Sequence, residues 1–89
     1  MIERELQIIN RLGLHARAAA KLVQTTGGFK SRVTLIREGE EIDGKSILGI
    51  LLLAAAQGSR MTVRTEGPDE IEALNAIEQL IADRFGEES

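Results

Sequence analysis

Apolar and polar residues alternate at the start of the chain. Ile2, Leu6 and Ile8 fall on one face, and Glu3, Glu5 and Gln7 on the other. A period of two predicts a half-buried strand. Asn10-Arg11-Leu12-Gly13 follows as a loop. At Ala16 the period changes: Ala16, Ala19, Ala20 and Val23 recur at i, i+3, i+4 and i+7, one face of a helix. Gly27 suits the position just past its end. Arg32 to Arg37 alternates again, with Val33 and Leu35 on one side. Glu38-Gly39 predicts a hairpin turn into a short strand over Glu40 to Ile42, which Asp43-Gly44-Lys45 closes. Ser46 is a natural N-cap for a second helix that begins at Ile47 and runs toward Gly58. Arg60 to Glu66 forms a fourth strand with Met61 and Val63 inward. Pro68-Asp69 opens a third helix, with Asp69 as N-cap and Glu72 completing a capping box. Its buried stripe is Leu74, Ile77, Ile81 and Phe85, and the polar tail Gly86 to Ser89 is expected to fray.

The predicted order is β-α-β-β-α-β-α. It implies an α+β, two-layer open-faced sandwich: a four-stranded antiparallel sheet covered on one face by three helices. One domain is expected to span residues 1–89, near the small end of what folds alone. Phe29 and Phe85 are the only aromatics, so the core must come mainly from Leu, Ile, Val and Ala. The absence of cysteine excludes disulfides, thiolate chemistry and Cys-based metal sites. The net charge is −3 and the basic residues are scattered, which argues against nucleic-acid binding. Met1-Ile2-Glu3-Arg4-Glu5 does not resemble a signal peptide, and the longest apolar run, Ile47 to Ala56, is too short to cross a bilayer. A cytoplasmic location without membrane insertion is therefore expected.

His15 is the only histidine. A lone histidine is ordinarily a surface or capping residue. A metal site lacks partners, since no second His and no Cys exist to join it, and no nucleophile motif supports a hydrolytic triad. The position is nevertheless suggestive. His15 lies where a loop enters the first helix, where first-turn N–H groups lack intrahelical partners and the helix dipole is positive. Such a place favours an anion such as phosphate. The same field disfavours a protonated imidazole, keeping the ring neutral and nucleophilic near pH 7. Arg17 adds a fork of donors suited to phosphoryl oxygens.

The segment Asn10-Arg11-Leu12-Gly13-Leu14-His15-Ala16-Arg17-Ala18-Ala19 closely resembles the active-site segment of the HPr family. These are the histidine-containing phosphocarriers of the bacterial phosphoenolpyruvate-dependent phosphotransferase system. Gly44-Lys45-Ser46-Ile47-Leu48-Gly49-Ile50 is similar to a second family segment, and the resemblance covers essentially the whole chain. It implies that His15 takes a phosphoryl group on Nδ1 from phosphorylated Enzyme I and passes it to Enzyme IIA domains, in sugar uptake or its regulation. It implies that Arg17 steadies the phosphate, with the backbone N–H groups of Ala16 and Arg17 as further donors. The protein would be a covalent relay intermediate and not an autonomous enzyme, needing no cofactor and acting as a monomer. Ala18 stands where most members have proline, and Gln24 and Gly27 stand where members often carry basic residues. The first departure implies a slightly less pre-organised loop without loss of function.

Ser46 has a structural explanation as a cap. The resemblance adds a second role, phosphorylation by an HPr kinase/phosphorylase, and the two can coexist. The helix after Ser46 is apolar nearly all round: Ile47, Leu48, Ile50, Leu51, Leu52 and Leu53. One sheet cannot bury every side of it. Ile47, Leu48 and Leu51 are therefore expected to be exposed beside His15 as the docking patch for both partners, with extra core packing or a homodimer seam as alternatives. Two other functions stay open: a regulatory binding module, either a Ser46-phosphorylated co-effector or a nitrogen-branch regulator with little transport flux, and an interaction domain that uses the leucine-rich helix without phosphorylation. The sugar and nitrogen branches share the His-Arg segment.

Overall fold

The computed structural model describes all 89 residues. Strands β1 (Ile2–Gln7), β2 (Arg32–Arg37), β3 (Glu40–Asp43) and β4 (Arg60–Glu66) alternate with helices α1 (Ala16–Thr26), α2 (Ile47–Leu53) and α3 (Glu70–Ala82) in the expected β-α-β-β-α-β-α order. The sheet order is β1-β4-β2-β3, with every neighbouring pair antiparallel. Ile2 pairs with Thr65 and Gln7 with Arg60, Arg32 pairs with Glu66 and Ile36 with Thr62, and Thr34 pairs with Asp43. This register sends Leu6, Val33, Leu35, Met61, Val63 and Thr65 to the helix-covered face, where all are buried.

The opposite face stays polar. Arg64 donates to Glu3 at 2.6 Å and to Glu41 at 3.4 Å, tying β1, β4 and β3 together, and Arg60 pairs with Glu5 at 3.2 Å. Cross-strand pairs of opposite charge stabilise a sheet modestly. One position breaks the alternation of β1. Arg4 shares the inward side with Ile2 and Leu6, yet it lies at the sheet edge and reaches Glu78 and Asn75 of α3.

Seventeen buried side chains form one hydrophobic cluster drawn from all three helices and from β1, β2 and β4. Leu22 and Ile50 are completely buried in it. The inward face of α1 differs from the expected one. Ala18, Ala19, Leu22 and Thr26 are buried, whereas Ala16 is exposed and Ala20 and Val23 are half-buried. In a helix with four alanines the apolar stripe has no sharp edge, and packing of Leu22 sets the rotation.

Two helix ends and one cap also differ. α2 stops at Leu53, not near Gly58, because Ala54 takes a left-handed conformation (φ 53°, ψ 38°) and its N–H turns back to the Leu51 carbonyl. Asp69 precedes α3 but does not cap it through its side chain, so the Asp69–Glu72 capping box does not form. Its carboxylate instead accepts from the Lys30 and Ser31 N–H groups, both at 2.9 Å, and from the Ser31 hydroxyl at 2.5 Å. Glu70 reaches back to the Gly67 N–H at 3.1 Å. Finally, α3 ends at Ala82, so Phe85 does not continue its stripe. Phe85 is fully buried, but from a short 3-10 turn, Arg84–Gly86.

Candidate functional site

His15 is the N-cap of α1, with extended backbone (φ −76°, ψ 179°). Its Nδ1 accepts from the Arg17 N–H at 3.3 Å, and its carbonyl accepts from the Ala19 N–H at 2.8 Å. The imidazole therefore does what a Ser or Asp side chain does at other caps. It turns Nδ1 toward the positive end of the helix.

The loop before His15 is fastened to the chain beyond α2. Leu14 N–H donates to the Ala55 carbonyl at 2.9 Å. Gly13 has φ +66°, and a Cβ there would lie 2.5 Å from the Ala55 oxygen and 2.9 Å from the Ala56 Cα. Only glycine fits both the left-handed backbone and this close approach. Asn10 closes the loop from inside: fully buried, it donates from Nδ2 to the Gly13 carbonyl at 2.8 Å.

The other ring nitrogen also has a partner. Nε2 of His15 is hydrogen-bonded to the Glu87 carboxylate. The second oxygen of Glu87 accepts from Asn10 Nδ2 at 3.0 Å. The Asn10 amide, then the His15 ring, hold the Glu87 carboxyl below the usual glutamate range, against some desolvation. With Arg17 N–H donating to Nδ1 and a carboxylate accepting at Nε2, the arrangement calls for a proton on Nε2 and a lone pair on Nδ1.

The polar tail, expected to fray, makes specific contacts with the site. Glu87 packs on His15, and the Ser89 carbonyl accepts from the Arg11 N–H at 3.0 Å. Lys21 donates to the Phe85 carbonyl. Burial of Phe85 anchors the segment. Between the tail and α1 lies a shallow depression of about 410 Å³, bordered by Arg11, His15, Arg17, Glu87 and Ser89. His15 keeps 27% of its side chain accessible there, and the exposed Arg17 lines the same depression.

Ser46 caps α2, its hydroxyl accepting from the Gly49 N–H at 3.1 Å. The apolar surface beyond it is real: Ile47, Leu48 and Leu51 are 44%, 68% and 37% exposed, while Ile50 and Leu53 enter the core. Leu52, left outside the expected patch, is the most exposed of all at 70%. Two residues of the site carried no role in the sequence reading, Asn10 and Glu87. Nothing in local patterning marks Glu87, because its partners lie at the far end of the chain.

A family model described as "PTS HPr component phosphorylation site" matches residues 2–83. Phosphocarrier protein HPr of Cupriavidus necator is 55% identical over 87 residues, covering 98% of each chain. That of Xylella fastidiosa is 51% identical over the full length of both. Among solved structures, HPr-C-His from Thermoanaerobacter tengcongensis superposes with a TM-score of 0.97 at 42% identity over the whole of both chains. A phosphocarrier protein HPr from Bacillus anthracis gives 0.87 at 36% identity over 90% of this chain and 95% of its own.

Proposed function

The chain belongs to the HPr family, the phosphocarriers that relay a phosphoryl group from Enzyme I to Enzyme IIA in the phosphotransferase system, and from that premise we propose that His15 is the residue that carries it. The observation that supports this most directly is the orientation of the ring. Nδ1 points to the N-terminus of α1 with its lone pair toward the Arg17 N–H.

On this reading Nδ1 attacks phosphorus and forms the N–P bond. The bond from phosphorus to its atom on phosphorylated Enzyme I breaks, and its electron pair stays with Enzyme I. The Arg17 N–H then turns from Nδ1 to a phosphoryl oxygen, joined by the Ala16 N–H. Both belong to the first helical turn, whose donors lack intrahelical acceptors. The Arg17 guanidinium adds charge-assisted bonds from the rim. These donors are few and partly exposed, which suits a carrier: the group is held, but not so tightly that onward transfer to Enzyme IIA stalls. No step requires a cofactor.

Ile47, Leu48 and Leu51, together with Leu52, form the docking surface for Enzyme I and Enzyme IIA, because they are large, apolar and uncovered. Ser46 at the head of the same helix is a regulatory phosphorylation site for an HPr kinase/phosphorylase. A phosphate there brings about −1.5 to −2 charge beside the apolar surface, without losing the anion-friendly cap position. The protein works as a monomer of one domain in the cytoplasm, and no helix is long and apolar enough to cross a membrane.

Incubation with Enzyme I, Mg²⁺ and phosphoenolpyruvate tests the assignment by intact-protein mass. Wild type should gain one acid-labile phosphate and His15→Ala none. A phosphate that persists in His15→Ala would overturn the role of His15.

A further inference from the structure

The tail after α3 takes an unusual path to reach the site. Arg84, Phe85 and Gly86 have successive φ values of 55°, 54° and 75°. Two adjacent non-glycine residues in the left-handed region are unfavourable for L-amino acids, so the surroundings must hold them there. The buried Phe85 ring, the Lys21 bond to its carbonyl, and the Arg11 bond to Ser89 do so. The result of this turn is the placement of the Glu87 carboxylate on His15 Nε2. The carboxylate is itself oriented by Asn10, a fully buried side chain held in turn by the Gly13 carbonyl.

The geometry points to Glu87 as a positioning residue for phosphoryl transfer: it holds the Nε2 proton, keeps the Nδ1 lone pair turned to the incoming phosphorus, and offsets the positive charge that the ring gains. This inference rests on His15 being the carrier. When Nδ1 bonds to phosphorus while Nε2 keeps its proton, the ring becomes a phosphorylated imidazolium. No proton needs to leave, and a fixed anion on the far nitrogen stabilises the product. The Glu87 carboxyl is held below the usual glutamate range by Asn10 and then His15, so it stays ionised near pH 7. Positive charge lies nearby in Lys21, Arg11 and Arg17, and Glu87 is the carboxylate directly on the ring.

Three full-length proteins decide the matter: wild type, Glu87→Gln and Glu87→Ala. Glutamine keeps an acceptor for Nε2–H but removes the charge. ¹H–¹⁵N NMR of the unphosphorylated proteins should show a His15 Nε2–H proton protected from exchange in wild type and Glu87→Gln, and lost in Glu87→Ala. In equilibrium with phosphorylated Enzyme I, the ratio of phosphorylated to free carrier should fall about fivefold in Glu87→Gln, the size of a good partly exposed ion pair. A purely structural tail contact would leave that ratio unchanged in the glutamine variant. Proton density on Nδ1 in wild type, no protected Nε2–H in wild type, or equal phosphorylation of wild type and Glu87→Gln would each overturn the inference. Failure of wild type to accept any phosphate would instead sink the carrier reading, with the ring's tautomer still read independently by NMR.

Discussion

Replacing Gly13 by alanine tests how the histidine loop is built. Two costs combine there. A left-handed backbone (φ +66°) disfavours any L-residue by about 1–2 kcal/mol. The new Cβ also lies 2.5 Å from the Ala55 oxygen and 2.9 Å from the Ala56 Cα. Both are backbone atoms, so no rotamer change relieves the clash, and overpacking of this kind costs about 1–3 kcal/mol. The sum is about 2–5 kcal/mol, and the Leu14–Ala55 hydrogen bond is the contact that must give way. Gly39→Ala is the control. It has a similar left-handed backbone (φ +82°) with nothing within 4 Å of its Cβ, so it should lose only the about 1–2 kcal/mol conformational part. Urea unfolding followed by circular dichroism at pH 7, with a common m-value, measures both. Gly13→Ala should also accept phosphate more slowly, since a shift of about 1 Å in a reacting group can cost about 100-fold in rate. If the two alanine variants unfold within about 0.5 kcal/mol of each other, the close approach to Ala55 does not constrain the loop, and the reasoning fails.

Phe85→Ala should destabilise by about 3–5 kcal/mol, as for other fully buried aromatics, and should release Glu87 from His15; a urea midpoint close to wild type would contradict the anchoring role. Asp69 titrates at about 2, below its ordinary 3.8, first because of the Ser31 hydroxyl and then the Lys30 N–H. The stability this contributes is fully present above 3.8 and is lost as pH falls through about 2. Urea midpoints measured across that interval should therefore fall less steeply for Asp69→Asn than for wild type, and parallel curves would contradict it. Ser46→Ala should lose about 1 kcal/mol with its cap, whereas Ser46→Asp should keep most of the stability, because aspartate also caps. Titration calorimetry with Enzyme I should then show weaker binding for Ser46→Asp alone, and equal affinities would remove Ser46 from the docking face.

Much of this architecture is visible in a one-dimensional pattern, because a half-buried sheet imposes a period of two. Val33 and Leu35, and Met61 and Val63, show it cleanly, and their burial follows. His15 and Ser46 were also legible, as residues at predicted helix starts. What escaped the sequence depends on partners distant along the chain. Asp69 has the right spacing for a capping box, yet Ser31 and Lys30 offer its carboxylate three donors that the local helix cannot match. Ala54 continues the apolar run of α2 and has good helix propensity, so its left-handed turn carries no local signature. Phe85 sits at helical spacing from Ile81 and is buried as expected, but by a reversed turn whose direction no periodicity encodes. Glu87 follows from that turn. A polar tail reads as solvent-exposed until its partner is known.

The strand order has a consequence for how the protein is made. β1 leads the chain but pairs only with β4, more than half the sequence away, and β4 needs β2 on its other side. Only β2 and β3 join as neighbours in sequence. During synthesis the first strand, and the histidine loop it leads into, emerge long before anything exists to hold them. Such non-local pairing is slow to close. The loop is then fixed by Ala55, by the strand that follows it, and last of all by the tail. An unfinished chain thus contains the histidine but not yet the contacts that set its loop.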